Sequence, residues 1–393
     1  MLGYLFKGLR KIISQPYAVI VPPSGYGSIG DDAMVRVLIR STEKQNLTPI
    51  ILGGYDADTW AHIGDVKTAD SRKKTITAVN LVMLLLKSRN LYIIGADIMD
   101  GHYDTSSVYK RLKLAKLFSK IGIDVRITGF SFNDHPNKTV CGMFNQIENT
   151  KLFLRDALSL ERFESKAKRE ATLSADLAFL TKSSASCENV KNIMDWVDQK
   201  KNSGGIVIII NINWLPFRSS NVTVDELIAR YTEICLEVSS KIDNRVSFLM
   251  VPNDFRDPDH LGDRRLAQLL YNSLSTTLGD DSKLVDVDFN AEDLKLFSKK
   301  CDFVITGRMH LAIITATNGI PAFSVSYQSK FAGFYELIGM DSVELLIEPQ
   351  DLFENDIADK ILQNIYRRAT LSSIINKKLS NIRDTVEKCL YQT

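Results

Sequence analysis

The sequence has little excess of either charge, few cysteines and no long apolar run, and each absence excludes a class of protein. The 49 basic and 47 acidic residues leave a formal net charge of +2 at pH 7, so the chain lacks the basic surplus that is typical of nucleic-acid binders. No apolar run approaches the ~20 residues needed to cross a bilayer. The five cysteines are scattered and odd in number, without metal-type spacing, which indicates a reducing cytoplasm and no metal site.

The first residues combine apolar and basic side chains at helical spacing. Residues 1–14 read MLGYLFKGLRKIIS, and they have neither the charge order nor the cleavage site of a signal peptide. We interpret them as an amphipathic helix. Two roles stay open for it: weak peripheral contact with the inner face of a membrane, or packing on the body of the protein or on a partner subunit.

Strand-length apolar runs alternate with helical patterns along the whole chain, which predicts an α/β fold with parallel sheets. At 393 residues the chain is too long for one ordinary core, so two domains are expected. Polar, small-residue stretches place the boundary between them. The predicted organisation is an N-terminal Rossmann-like domain at 1–185, a linker at 186–204, a C-terminal Rossmann-like domain at 205–350, and helices at 351–393 that cross back to the first domain.

Segment 301–339 is the most informative part of the sequence. Its apolar run at 303–305 predicts a strand that is buried on both faces, and Gly307 ends this strand. Residues 311–316 predict a helix that is buried almost all round, and a second apolar run at 322–325 returns to the sheet. The segment is therefore a strand, a turn, a helix and a second strand.

Arg308 and His310 flank Met309 in this turn. They follow the carboxyl end of one strand and precede or open a helix, where open α/β sheets bind ligands and free backbone N–H groups face anions. Lys330 follows the next strand and is expected to bring another cation to the same edge. The pattern predicts an anion-binding site.

Other polar and aromatic side chains also follow predicted strands. His102 and Asp97 lie in the loop after the strand at 91–94, Arg155 directly follows the strand at 152–154, and Trp214 follows the strand at 206–212. Each has an ordinary alternative, since a loop His beside acids is often solvated and most aromatic residues serve packing.

A glycine pattern near the N terminus supports a competing hypothesis. Gly25-x-Gly27-x-x-Gly30 follows a predicted strand and precedes a helix, as in dinucleotide-binding proteins, and Asp56 or Asp58 could imitate the ribose-binding acid. This would make the chain an NAD-dependent oxidoreductase. Against it, Pro22 and Pro23 lengthen the turn, and two acidic residues stand where the pyrophosphate should lie.

Segment 301–339 resembles the C-terminal signature of the polysaccharide pyruvyl transferase family. The shared features are G-R-x-H before an apolar helix, then N-G-I-P, then S-Y-x-x-K-F-x-G-F-x-x-x-x-G. Upstream, residues 27–33 resemble its G-N-x-G-D-[DE]-A loop with Ser28 in place of Asn, and residues 91–97 retain only Gly95 of its usual glycine run. Residues 155–159 and 174–179 are similar to its R-[DE]-x-x-S segment and its D-x-A-F strand.

The resemblance implies a GT-B-like architecture, in which two doubly wound parallel-sheet domains face a cleft that holds the active site. It also implies transfer of pyruvate from phosphoenolpyruvate to two hydroxyls of a sugar, as a cyclic ketal, with release of phosphate and no further cofactor. The residues expected to bind the donor are Arg308, Arg155, Lys330, Met309 and Gly307.

The same resemblance suggests roles in catalysis and acceptor binding. His310 is the expected general acid/base, because a group titrating near neutral pH suits proton transfer, and His102 is a second candidate. Asp31 or Asp32 either accepts a proton from the incoming hydroxyl or only complements a helix dipole. The residues expected on the acceptor side are Gly27, Ser28, Gly30, Asp97 and Trp214.

Two further alternatives stay open beside the oxidoreductase. A nucleotide-sugar glycosyltransferase would use the same fold, and the departures at Ser28 and Ala96 would suit an inactive glycan-binding homologue. The expected partners are phosphoenolpyruvate and a glycan or lipid-linked oligosaccharide, with no nucleic acid, in the cytoplasm. The acceptor sugar and the oligomeric state stay open.

Overall fold

A computed structural model describes residues 15–53, 57–63, 67–70, 78–102, 104–184, 188–243, 245–256, 260–326 and 331–391. The chain divides into two compact units. The first unit comprises Met1–Tyr26, Asp31–Leu180 and Ile382–Thr393, and the second comprises Gly27–Gly30 and Thr181–Asn381. The predicted helix at 1–14 lies outside the described residues, as do Asp56 and Lys330.

The first unit is built on a parallel seven-stranded sheet with the order β3-β2-β1-β4-β5-β6-β7. Its strands are β1 (Tyr17–Val21), β2 (Thr48–Gly53), β3 (Lys67–Asp70), β4 (Ser88–Ile94), β5 (Asp124–Phe130), β6 (Thr150–Leu154) and β7 (Thr172–Leu173). Its helices are α1 (Ile29–Lys44, with its first two residues assigned to the second unit), α2 (Ala78–Lys87), α3 (Thr105–Lys120), α4 (Lys138–Phe144) and α5 (Ala157–Ala167).

The second unit has a parallel six-stranded sheet with the order β10-β9-β8-β11-β12-β13. Its strands are β8 (Ile206–Asn211), β9 (Val246–Met250), β10 (Ser282–Leu284), β11 (Phe303–Thr306), β12 (Ala322–Val325) and β13 (Leu346–Ile347). Its helices are α6 (Glu188–Asn202), α7 (Val224–Lys241), α8 (Asp263–Leu278), α9 (Ala291–Ser298), α10 (Met309–Ala316), α11 (Ala332–Leu337), α12 (Ser342–Leu345) and α13 (Ile357–Tyr366). The last helix, α14 (Arg368–Tyr391), begins in this unit and ends in the first.

The apolar runs explain why these sheets form where they do. All six residues of β8 and all four of β11 are buried, as expected for central strands covered by helices on both faces. Capping boxes begin two of the helices, with Thr223 and Glu226 at the start of α7 and Asn290 and Asp293 at the start of α9. These boxes satisfy backbone N–H groups that a helix start leaves without partners.

Three sequence predictions differ from the structure. The predicted linker at 186–204 carries α6 of the second unit, and residues 27–30 belong to the second unit although they were placed in the first. The predicted strand at 174–179 is a short 3-10 turn at Leu177–Leu180, because the Asp176 carboxylate accepts a hydrogen bond from the Ala178 N–H and turns the chain.

Each sheet has one position where the strand order reverses. In the first unit this switch point lies between β1 and β4, and in the second it lies between β8 and β11. Ligands of open α/β sheets bind outside the carboxyl ends of the strands at such points. None of the helices in the described ranges is long and apolar enough to cross a membrane.

Candidate active site

Polar side chains fix the turn at the switch point of the second sheet. β8 ends at Asn211 and β11 ends at Thr306, and the Thr306 hydroxyl donates to Asn211 Oδ1 over 3.2 Å. Two residues after Asn211, Asn213 Nδ2 donates to the Gly307 carbonyl over 2.9 Å. A Cβ atom on Gly307 would lie 2.7 Å from Asn213 Cβ, closer than real contacts allow. Glycine is therefore required here for the two strand ends to meet.

Arg308 is anchored by a buried carboxylate that lies 45 residues earlier in the chain. Its Nη2 lies 2.6 Å from Asp263 Oδ1, and its Nε lies 3.2 Å from both Asp263 oxygens. The Arg308 side chain stays 25% exposed, while Asp263 is buried. A forked pair of this kind fixes the plane of a guanidinium, so Arg308 presents its free edge in one orientation.

Asp263 is itself held by three further donors. Its Oδ2 accepts hydrogen bonds from Asn211 Nδ2 at 2.9 Å and from the backbone N–H groups of Asn253 at 3.0 Å and Asp254 at 3.2 Å. Burial alone would lower the pKa of Arg308, but the charge and hydrogen bonds of Asp263 outweigh it and raise the pKa. The guanidinium is therefore permanently cationic at this edge of the sheet.

A second guanidinium lies beside the first. Arg256 follows β9, and its Nε and Nη2 lie 2.8 and 2.6 Å from the two oxygens of Asp254. Asp254 Oδ2 also lies 3.8 Å from Arg308 Nη1. The second unit thus holds two arginines around one carboxylate, with Asp263 as the deeper anchor of Arg308.

His310 packs directly on the backbone of Gly30. It is the second residue of α10 and is half-buried, and its Nε2 atom is screened from solvent. A Cβ atom on Gly30 would lie 2.1 Å from His310 Nδ1 and 2.2 Å from its Cγ. Since both residues belong to the second unit, the absent side chain at position 30 creates the space that the imidazole fills.

The segment 27–30 is joined to the second unit by backbone pairing. The Ile29 N–H donates to the Asn253 carbonyl over 3.0 Å, the Phe255 N–H donates to the Gly27 carbonyl over 2.7 Å, and Ser28 forms a bridge with Asp254. The predicted acceptor residues Gly27, Ser28 and Gly30 therefore lie with Arg308 and His310, whereas the sequence placed them in the other domain.

Of the remaining residues predicted in the second unit, the structure describes Met309 and Trp214. Met309 begins α10 and is half-buried. Trp214 is half-buried against the core of the unit and stacks on Phe217, with ring centroids 6.5 Å apart, so its contacts here are packing contacts. Lys330 lies outside the described residues.

In the first unit, Asp31 and Asp32 open α1 and are both buried. The Asp32 carboxylate accepts two hydrogen bonds from Arg36 Nε, at 2.8 and 2.9 Å, and Asp31 Oδ2 accepts one from the Ser24 hydroxyl at 2.5 Å. Asp32 thus forms an ordinary ion pair one helical turn away, which favours a structural role for it. A catalytic role for either aspartate stays a prediction.

Arg155 is also part of the first unit and is buried. Its Nη2 donates to the Ser131 hydroxyl over 2.7 Å, and its Nη1 lies 3.5 Å from Asp176 Oδ2. The backbone N–H of Arg155 donates to Phe130. These contacts tie together the ends of β5 and β6 and the following turn, and its predicted contact with the donor stays a prediction.

The loop after β4 contains a buried carboxyl group that the sequence did not single out. Asp100 accepts hydrogen bonds from the His102 N–H at 2.9 Å and from Asn133 Nδ2 at 2.5 Å. Burial raises the pKa of Asp100; the His102 N–H opposes this, and the charge of Asp97 adds to it. The predicted acid/base residue His102 is exposed. Nearby, Ala96 has φ 46°, a left-handed conformation that glycine adopts more readily.

Sequence reasoning therefore missed the side chains that hold Arg308. Asp254, Arg256 and Asp263 lie in a stretch read as a loop and the start of a helix, where acidic and basic residues are common. One usable signal was the pair of asparagines at the end of β8, Asn211 in the strand and Asn213 just after it, since amides at the end of a buried strand need partners. Among the described residues, no group of three or more His, Cys, Asp or Glu side chains is arranged to hold a metal ion.

Comparisons with known proteins identify a matching family and similar folds. The family model described as polysaccharide pyruvyl transferase matches residues 7–329. The chain is also similar to the amylovoran biosynthesis protein AmsJ of Erwinia amylovora, with 26% identity over 228 residues, covering 56% of this chain and 53% of AmsJ. The match thus spans about half of that relative's length.

Two solved structures illustrate the similarity of fold. The chain superposes on S. aureus MnaA in complex with UDP with a TM-score of 0.59 at 11% identity, covering 96% of this chain and 98% of MnaA. It superposes on HepE of Anabaena in complex with UDP and glucose with a TM-score of 0.54 at 12% identity, covering 96% and 98%. At these identities the similarity shows the fold alone, and that fold is GT-B-like, as the sequence predicted.

Proposed function

Since the chain belongs to the polysaccharide pyruvyl transferase family, we propose that it transfers pyruvate from phosphoenolpyruvate to a sugar of an exopolysaccharide or other cell-surface polysaccharide, or of its precursor. The product is a cyclic ketal, and phosphate is released. The observation that carries the proposal is the Arg308 guanidinium, which Asp263 holds at the switch point of the second sheet, two residues before His310. AmsJ is an amylovoran biosynthesis protein, which is consistent with an acceptor of this kind.

The chemistry begins with a proton added to the methylene carbon of phosphoenolpyruvate. The neighbouring carbon then carries positive character, and the oxygen of one sugar hydroxyl bonds to it and gives up its proton. Phosphate leaves with the electrons of its bond to this carbon, and a second hydroxyl of the same sugar bonds in its place. Two hydroxyl protons are released in all. One replaces the proton that the methylene carbon took up, and the other is taken up by the phosphate as it leaves.

Two residues of the second unit have defined roles in this proposal. Arg308 binds the phosphate, because its fork matches an oxyanion with paired, charge-assisted hydrogen bonds. His310 delivers and accepts protons, because a positioned imidazole can do both near neutral pH. Asp31, Asp32 and His102 are further candidates for handling the hydroxyl protons, and Arg155 and Lys330 for binding the donor.

The surroundings of the reaction are also part of the proposal. We place it in the cytoplasm with a free or lipid-linked glycan as acceptor, and residues 1–14 are a candidate for peripheral contact with the membrane. Side-chain cations can neutralise the anionic donor, so the proposed reaction uses phosphoenolpyruvate as its donor and no resident cofactor.

The test is phosphate release that depends on phosphoenolpyruvate, measured over a panel of glycans. Removing the Arg308 guanidinium (Arg308→Ala) is expected to weaken phosphoenolpyruvate binding by roughly 10- to 100-fold, the range of a charge-assisted hydrogen bond. His310→Ala is expected to lower kcat by about 10²- to 10⁴-fold. His135→Ala, which removes an exposed imidazole of the first unit, is the matched control and should leave both quantities unchanged.

Other products would point to the alternatives. Release of UDP or GDP from a nucleotide sugar would favour a glycosyltransferase, and saturable quenching of NADH fluorescence would favour an oxidoreductase. Donor binding without turnover on any glycan would favour a binding protein. Wild-type rates in the His310→Ala variant would remove this residue from the mechanism.

A further inference from the structure

Arg256 and Arg308 reach the same edge of the second sheet from two different strands. β9 and β11 are the two neighbours of β8. Arg256 lies six residues after the end of β9, and Arg308 lies two residues after the end of β11. In a parallel sheet all carboxyl ends lie at one edge, so the two arginines flank the end of the central strand.

The two guanidiniums are brought together by one carboxylate. Asp254 accepts two close hydrogen bonds from Arg256, at 2.8 and 2.6 Å, and its Oδ2 lies 3.8 Å from Arg308 Nη1. The positive charge of Arg256 in turn opposes the raised pKa of Arg308. The arginines are therefore close enough for their charges to interact, and they already share one anion, the Asp254 carboxylate.

Both arginines also keep part of their surface open to a ligand. The Arg256 side chain is 43% exposed and the Arg308 side chain is 25% exposed. The stem of Arg256 lies across Gly27, where a Cβ atom would be 2.6 Å from its Cγ. Gly27 has φ 134°, which disfavours any other residue, so the backbone at this point is shaped to the arginine stem.

We propose that Arg256 is a second donor-binding residue, which holds the carboxylate of a small acid whose phosphate is held by Arg308. The inference rests on the proposed function and makes it more specific. Arg308 suits the phosphate because it stands at the amino end of α10, where the helix dipole also favours negative charge. Arg256, whose Nε and Nη2 are bound to Asp254, then offers the exposed part of its side chain to the second anionic group. A phosphorylated carboxylic acid would therefore bind to both arginines, whereas a simple phosphate ester would bind only to Arg308.

The experiment separates the two anionic groups with two probes. Phosphoglycolate carries both a phosphate and a carboxylate, and methyl phosphate carries only the phosphate. Calorimetric titration of the wild-type full-length protein should give tighter binding of phosphoglycolate. Arg256→Ala should bind phosphoglycolate about tenfold or more weakly, the loss of one charge-assisted hydrogen-bonded contact, while its affinity for methyl phosphate stays within about twofold of the wild type.

Arg245 provides a matched control at the other edge of the same strand. It lies directly before β9, is 57% exposed and is paired with Asp281. Arg245→Ala therefore removes a similar guanidinium from an acidic partner and should leave the affinities for both probes unchanged. Arg256→Lys keeps the charge but not the planar guanidinium, so its affinity should fall several-fold for phosphoglycolate and stay unchanged for methyl phosphate. This variant replaces Arg256→Ala in the test if Arg256→Ala fails to fold.

Each outcome decides the proposal. A preference for phosphoglycolate that survives in the Arg256 variants would overturn it while leaving the proposed function intact. Equal losses for both probes would also overturn it, because Arg256 would then support the phosphate or the fold. If the wild-type protein binds neither probe, this inference and the proposed donor fail together.

Discussion

A single methyl group at position 30 should misplace His310. Gly30→Ala puts a Cβ atom 2.1 Å from His310 Nδ1, whereas ordinary contact begins at 3.4 Å. The imidazole or the α1 backbone must therefore shift by about 1.3 Å. Because the Gly30 segment is held by backbone hydrogen bonds from Ile29 and Phe255, we expect the side chain of His310 to give way.

The expected effect is on turnover. A displacement of about 1 Å in a reacting group can cost roughly 100-fold in rate, so kcat should fall by about that factor. Arg308 is held separately by Asp263, so the dissociation constant for phosphoenolpyruvate should change little. Phosphate release gives kcat, and calorimetric titration gives the dissociation constant.

Two controls make the reasoning refutable. Gly142 lies in helix α4 with open space around the position of a Cβ atom, so Gly142→Ala should leave kcat unchanged and stabilise the fold by a few tenths of a kcal/mol to about 1 kcal/mol. If Gly30 acts only through His310, adding Gly30→Ala to His310→Ala should cost nothing more. A normal kcat in Gly30→Ala, or a full additional loss in the double variant, would refute the argument.

Two further predictions concern buried carboxyl groups. Asp263→Asn removes the charge partner of Arg308 and should cost about 3–5 kcal/mol in the free energy of urea unfolding. Asp288→Asn, at an 87% exposed partner of Arg264, should cost under about 1 kcal/mol. Equal losses in the two variants would contradict the role of Asp263 as the buried charge partner of Arg308. Folding raises the pKa of Asp100 above its ordinary value of 3.8, chiefly through burial. Its contribution to stability is thus complete below that value and is lost as pH rises through the raised pKa. Asp100→Asn should remove this part of the decline in unfolding free energy with rising pH. A pH profile identical to that of the wild type would contradict the raised pKa of Asp100.

Much of the fold follows from local sequence patterns. The buried runs of β1, β8 and β11 contain enough consecutive apolar residues to be recognised as central parallel strands, and capping boxes mark the starts of α7 and α9. The short strands were harder to predict, because two or three residues carry no clear period. β7 and β13 have only two residues each, and their pairing depends on neighbouring strands.

The site could be predicted only in part. Gly307 and His310 were recognisable because a glycine, a cation and a helix start follow one buried strand within a few residues. Asp254, Arg256 and Asp263 were not, because nothing local distinguishes them from solvated loop residues. Their importance depends on distances to Arg308, which lies about fifty residues later.

By itself the sequence determined the two parallel α/β sheets, the family and the cationic turn. Each of these depends on residues that are close together in the sequence, through the spacing of apolar residues and the residue types at turns. Only the tertiary structure decided what holds that turn. The strand order places β9 and β11 on either side of β8, so the acids after β9 meet Arg308, and backbone pairing brings Gly27 and Gly30 to Arg256 and His310. Such contacts join residues far apart in the chain, and no local pattern contains them.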